Sequence, residues 1–155
     1  MKTKFSKILV PIDGSKFSMD AAKYGIEVSK QYNAELYILH ILLPVDLGLR
    51  LHSFGTESLE QGKKLIEENK KQISEWFDSI KNISKEYANG KEIKINTKII
   101  ESSSIVSNII DYAEKEMIDL IVIGTRGRTG IKRLLLGSVA SQVVIYSHCP
   151  VLIVR

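Results

Sequence analysis

The apolar positions of this chain switch repeatedly between two periods. Lys7 to Ile12 (KILVPI) is apolar at nearly every residue and stops at Asp13-Gly14, a turn pair, which predicts a buried strand. From Met19 to Tyr32 the apolar residues take helical spacing, with Ala22, Ile26, Val28 and Ser29 inward and Ser18 as the expected cap. Ala34 to Ile41 returns to a strand pattern, and a loop is expected from about Leu43 to Gly55. A long helix is predicted from about Glu57 to Tyr87, with Ile66, Ile73, Phe77 and Ile80 on one side and Trp76 beside them, closed by Asn89-Gly90. Glu92 to Ile100 alternates (Ile93, Ile95, Thr97, Ile99), as a half-exposed strand does. Ser103 or Ser104 is expected to cap a helix carrying Ile105, Ile109 and Ala113. Asp119 to Gly124 predicts a fourth strand, Ser138 to His148 a helix, and Pro150 to Arg155 a last strand.

Strands alternating with helices argue for a parallel sheet with helices on both faces. Inner strands that are apolar on nearly every residue suit burial on both sides. Ligands in such sheets bind beyond the carboxyl ends of the strands, where strand order reverses. Two strand ends therefore stand out: Pro11-Ile12-Asp13 and the segment from Gly124 onward.

That second segment, IVIGTRGRTGIKRLLLGSVASQVV, places glycines and Arg126, Arg128, Lys132 and Arg133 between a strand and a helix. It is neither a Walker A box nor G-x-G-x-x-G. Its spacing is Gly124, two residues, Gly127, nine residues, then Gly137-Ser138. Glycines at a strand end let the backbone turn and approach a ligand. Gly137-Ser138 at a helix start offers N–H groups and a favourable dipole to phosphate, and the Ser138 hydroxyl can either donate to a phosphate oxygen or cap its helix. The plainer readings are a glycine-rich turn, a serine cap and, for Asp13, a carboxylate that accepts hydrogen bonds from its own turn.

Composition narrows the picture modestly. A chain of 155 residues suits one domain, and 22 Lys plus Arg against 18 Asp plus Glu leaves only +4. A nucleic-acid binder would interleave aromatics with a basic stripe, but aromatics are 7% and the basic loop holds none. Cys149 is the only cysteine, which excludes an internal disulfide and suits a reducing compartment. It precedes Pro150 at an apolar strand and reads as a buried, inert thiol. No stretch approaches the roughly 20 apolar residues of a membrane span, and the start lacks a secretory signal, so a cytoplasmic protein without membrane partners is expected. His40 and His52 have no ligand partner at metal spacing and suggest no chemistry.

KILVPIDGS, LHI and IVIGTRGRTGIKRLLLGSVASQVVIYSHCPVLIV together resemble the ATP-binding members of the universal stress protein family, whose pattern is G-x2-G-x9-G-S. The resemblance frames residues 1–155 as one nucleotide-binding domain. It implies a Rossmann-like α/β fold with a five-stranded parallel sheet in the order 3-2-1-4-5. It also implies ATP between the first and fourth strands, with Mg²⁺ or Mn²⁺. Carried over by position, Pro11, Ile12 and Asp13 would flank the adenosine, with Asp13 facing the ribose or a metal-bound water. Ile41 would meet adenine through its backbone, and Ile123 and Gly124 would line the nucleoside. Arg126, Gly127, Arg128, Gly137, Ser138 and Val139 would hold the phosphates. The region from Leu43 to Glu60 matches least.

Phosphoryl transfer needs metal ligands, a positioned nucleophile and charge stabilisation. Asp13 is the one acid in a motif at the expected cleft, so a stress-response switch with slow or no hydrolysis is expected, an ATPase or phosphotransferase being the alternative. Four consecutive apolar residues, Val151 to Val154, on an expected edge strand further predict a homodimer through that strand.

Overall fold

The computed structural model describes residues 5–43, 59–87, 92–126 and 136–155. The elements are β1 (Lys7–Pro11), α1 (Lys16–Tyr32), β2 (Glu35–Leu42), α2 (Leu59–Tyr87), β3 (Ile95–Glu101), α3 (Ile105–Lys115), β4 (Leu120–Gly124), α4 (Ser138–Tyr146) and β5 (Val151–Val154). Among the described residues all strand pairs are parallel, and the sheet runs β3-β2-β1-β4-β5. This is the α/β architecture expected from the alternation of elements, with the strand order that the family resemblance implied.

Alternate residues of each inner strand feed opposite cores. Ile8 and Val10 of β1 join Ala22 and Ile26 of α1 and Ile73, Phe77 and Ile80 of α2. Leu9, between them, joins Ile109 and Ala113 of α3 and Ala140 and Val143 of α4 on the other face. With both faces covered, the strands need no polar alternation, which explains their continuous apolar runs. Burying a large aliphatic side chain of this kind stabilises by roughly 1.5–3 kcal/mol.

The amino end of the sheet is closed by polar clamps. The Asp119 carboxylate accepts from the backbone N–H of Ser6 at 2.8 Å and of Lys7 at 3.2 Å. Glu35 accepts from Lys94, Tyr37 and Asn96, and the Lys94 bond lowers its pKa first of all. Burial, then the bond to Glu35, pushes the Tyr37 phenol up to about 12.

Several expected boundaries move. Helix α1 starts at Lys16, and its cap is Ser15, not Ser18. Gly14 at φ +78° turns the chain so early that Ser15 reaches the extended cap conformation. Its hydroxyl then accepts from Ser18 N–H at 3.2 Å. Strand β3 begins at Ile95 rather than Glu92, because pairing starts with Leu36 opposite Ile95 near the head of β2. Ser104 occupies the N-cap of α3 without a side-chain cap bond; its hydroxyl accepts from Ser107 Oγ instead. Helix α4 ends at Tyr146, two residues before His148, since Ser147 is extended. The loop expected after Leu43, the Asn89-Gly90 stop and His52 fall outside the described residues, apart from Leu43 itself.

Candidate functional site

Strands β1 and β4 pair only at Ile8 with Leu120 and Leu9 with Ile121, and then part. Their carboxyl ends therefore leave a crevice at the point where strand order reverses. Pro11 fits this break. Ile12 N–H donates to Leu39 O on β2 at 2.8 Å, so the preceding residue faces β4. Proline has no N–H to give there, and a ladder bond could not form.

The same alternation decides which backbone groups meet the crevice. Ile121 N–H donates to Pro150 O at 3.0 Å and Thr125 N–H to Val154 O at 2.7 Å, both on the β5 side. Gly124, in the opposite phase, turns its N–H and carbonyl towards β1, beyond the last β1–β4 pair. Leu39 O faces β1 and Leu42 O faces β3, where it accepts from Ser102 N–H at 3.1 Å. Ile41 shares the phase of Leu39, so its backbone faces the β1 side past Pro11, the last β1 residue paired with β2. The side chains of Ile41 and Ile123 are buried in the core. Ile41 therefore meets the crevice through its backbone, whereas Ile123, in phase with Ile121 and Thr125, turns its backbone to β5.

Asp13 opens the turn after β1. Its Oδ1 accepts from Ser15 N–H at 3.0 Å, and its own N–H donates to Ser18 Oγ at 3.2 Å. The local role expected of an Asp-Gly turn is thus present. At Gly14 a Cβ would meet the Trp76 indole at 2.1 Å, so this turn is roofed by α2. His40 lies under the same indole, with ring centroids 5.5 Å apart, and its Nδ1–H donates to Ile12 O at 2.9 Å.

Across the crevice, β4 is tied to the start of α4. Gly137 N–H donates to Thr125 O at 2.7 Å, closing the base of the glycine loop. Gly137 is the N-cap of α4 in extended conformation, with no side-chain cap bond. Ser138 is therefore the first helical residue and is exposed; its hydroxyl does not cap the helix. Helix N-termini attract anions; among the described residues this one has no side-chain cap, and its Gly137 is tied to Thr125 at the end of β4. At Gly124 a Cβ would stand 2.7 Å from the Phe17 backbone, so only glycine lets α1 cross this close to β4. Val139 packs partly into the core beneath.

Pro11, Ile12, Asp13, Ile41, Ile123, Gly124, Arg126, Gly137, Ser138 and Val139 all lie at this end of the sheet or on the α4 start joined to it. Gly127, Arg128, Lys132 and Arg133 lie outside the described residues. Sequence reading passed over Thr125 and Phe17, and it gave His40 and Trp76 no place at this site. Thr125 anchors β4 to both β5 and α4, and His40 and Trp76 roof the β1 turn. Such roles depend on contacts between distant segments and leave no local signature.

The universal stress protein family profile matches residues 4–155. The chain belongs to the universal stress protein family. Universal stress protein MJ0531 of Methanocaldococcus jannaschii is 36% identical over 157 residues, covering 97% of this chain and 82% of the relative. Universal stress protein YxiE of Bacillus subtilis is 34% identical over 151 residues, covering 97% and 99%. The fold matches universal stress protein UspA from Lactobacillus plantarum with a TM-score of 0.79 at 22% identity, over 99% and 100% of the two chains. A universal stress protein in complex with cAMP matches with a TM-score of 0.68 at 22% identity, over 99% and 98%. One from Archaeoglobus fulgidus in complex with dAMP matches at 0.63 and 18% identity, over 97% and 98%.

The remaining chemistry of this universal stress protein is sparse. Among the described residues no group of three or more His, Cys, Asp or Glu could hold a metal ion. Among them, too, no helix is long and apolar enough to cross a membrane. Burial pushes the half-buried Cys149 thiol above its ordinary pKa.

Proposed function

We propose that residues 1–155 act as one nucleotide-binding domain that takes ATP in the β1/β4 crevice and serves as a nucleotide-dependent regulatory switch in the stress response. The observation that carries this reading is the N-terminus of α4, with its side-chain-less Gly137 cap, tied by Thr125 O to the end of β4 where β1 and β4 separate. Backbone of Ile41 and Gly124 turned towards the same crevice would read the nucleoside, with Pro11, Ile12, Asp13 and Ile123 around it. Arg126, Gly127, Arg128, Gly137, Ser138 and Val139 would hold the phosphates. Two proteins of this fold are complexes with adenine nucleotides, which is compatible with the reading.

Mg²⁺ or Mn²⁺ would enter on the nucleotide's own phosphates, with Asp13 as the carboxylate that would meet a metal-bound water, the usual arrangement for a cation that keeps most of its waters. Asp13 is already engaged by Ser15 N–H, a poor starting point for a general base. Slow or no hydrolysis follows; an ATPase or phosphotransferase using the same site is the alternative. The protein is further proposed to act in the cytoplasm as a homodimer built on β5.

Titration calorimetry with ATP and Mg²⁺ tests the site. Wild type is expected to bind, and Gly127→Val to lose at least tenfold in affinity, about 1.4 kcal/mol, with an unchanged thermal midpoint. Equal affinity in both proteins would sink the assignment. Turnover at about 1 per second or faster would favour the enzyme instead.

A further inference from the structure

Phe17 belongs to no motif and sits in the first turn of α1. Its backbone is pressed against Gly124, and the Arg126 guanidinium lies over its ring, 5.7 Å from the centroid. Arg126 is the last described residue before the glycine loop, and its Cα lies 3.5 Å from where a Cβ on Gly137 would be. The cation thus stands beside the N-terminal ends of both α1 and α4, each with a positive dipole end. Positive charge gathered there gains nothing from its protein surroundings unless something offsets it. The ion pairs found among the described residues lie elsewhere. What meets Arg126 is an aromatic face, which attracts a guanidinium without neutralising it.

We propose that Phe17 is a positioning residue for nucleotide phosphate, its ring holding the Arg126 guanidinium at the mouth of the glycine loop. This rests on the ATP-site reading above. An arginine side chain loses considerable rotamer freedom when it clamps a phosphate. A ring that already restricts it lowers that cost, and the planar guanidinium can stack on the ring while its N–H edge stays open to phosphate oxygens. A carboxylate in the same place would also hold the cation but would repel the ligand.

The test is a double-mutant cycle on ATP affinity, read by calorimetry in wild type, Phe17→Leu, Arg126→Gln and the double variant, with Phe17→Tyr as the rescue. Thermal unfolding of each protein is followed in parallel. Leucine keeps the Cβ and the apolar bulk but removes the ring. Phe17→Leu is expected to weaken ATP binding about three- to tenfold, in the range of a partly desolvated cation–π contact. Phe17→Tyr should stay within about twofold of wild type, and Phe17→Leu should add nothing once Arg126 is Gln. The same loss in the Arg126→Gln background would overturn the proposal, because the ring would then act without the cation. So would unchanged or tighter binding by Phe17→Leu, the latter meaning that the ring draws Arg126 away from the ligand. Wild type that binds no ATP removes the site reading and the proposal together; wild type that binds while Phe17→Leu is indifferent removes only the proposal.

Discussion

At the scale of single residues, the crevice depends on positions where a side chain would be in the way. Gly14 combines φ +78° with the Trp76 indole where its Cβ would be. Gly14→Ala is expected to destabilise the protein by about 2–4 kcal/mol, the left-handed backbone and the overpacked contact each costing about 1–2. Urea unfolding measures this, and Trp76→Leu in the same chain should recover part of the loss. A change below about 0.5 kcal/mol would mean that the β1 turn is not held under α2. The Asp13-Gly14 pair is readable as a turn from sequence; the indole above it comes from a residue 62 positions later and is not.

At the scale of elements, helix starts differ in what they do with their N–H groups. Helix α1 satisfies its own: Ser15 Oγ accepts from Ser18 N–H, and Ser18 Oγ accepts in turn from Asp13 N–H. Helix α4 begins on a glycine, which has no side chain to cap it. Ser15→Ala should therefore cost about 1 kcal/mol of stability, whereas Ser138→Ala should cost under about 0.5, both read from chemical denaturation. A stability loss at Ser138 as large as that at Ser15 would show that the hydroxyl is structural after all. Both helices were legible as helices, and their roles were not. A serine near a helix start looks the same in sequence whether it is the cap, as Ser15 is, or lies three residues inside, as Ser18 does.

At the scale of the whole molecule, β5 pairs only with β4 among the described residues, and its environment is uneven. Leu152 is 38% exposed, Val151 and Ile153 are half-buried against the α3/α4 core, and Val154 is buried. Near it in sequence, the last turn of α4 exposes Val144, Ile145 and Tyr146, with Ile145 70% exposed. Exposed apolar residues on an edge strand and on the helix that precedes it are what a second copy would cover. Leu152→Lys is the sharper probe of the proposed homodimer, since Ile153→Lys would also place a charge against the core. Light scattering on dilute protein should give a dimer mass for wild type and a monomer mass for Leu152→Lys, with thermal stability largely kept. A wild-type monomer at micromolar concentration would end the dimer reading.

The sequence by itself determined the alternation of strands and helices, because burial on both faces forces continuous apolar runs in the strands and a single apolar stripe on each helix. It also determined the glycine spacing after β4, since only that residue type permits the close approach seen at Gly124. Strand order came from likeness to a family, and spacing alone would not have chosen it among parallel arrangements. Tertiary structure alone decided where β1 and β4 part, which backbone groups of Ile41 and Gly124 face the gap, and what surrounds His40, Trp76, Phe17 and Arg126. Those outcomes follow from strand register and from contacts between segments far apart in the chain, and a local pattern of residue types encodes neither.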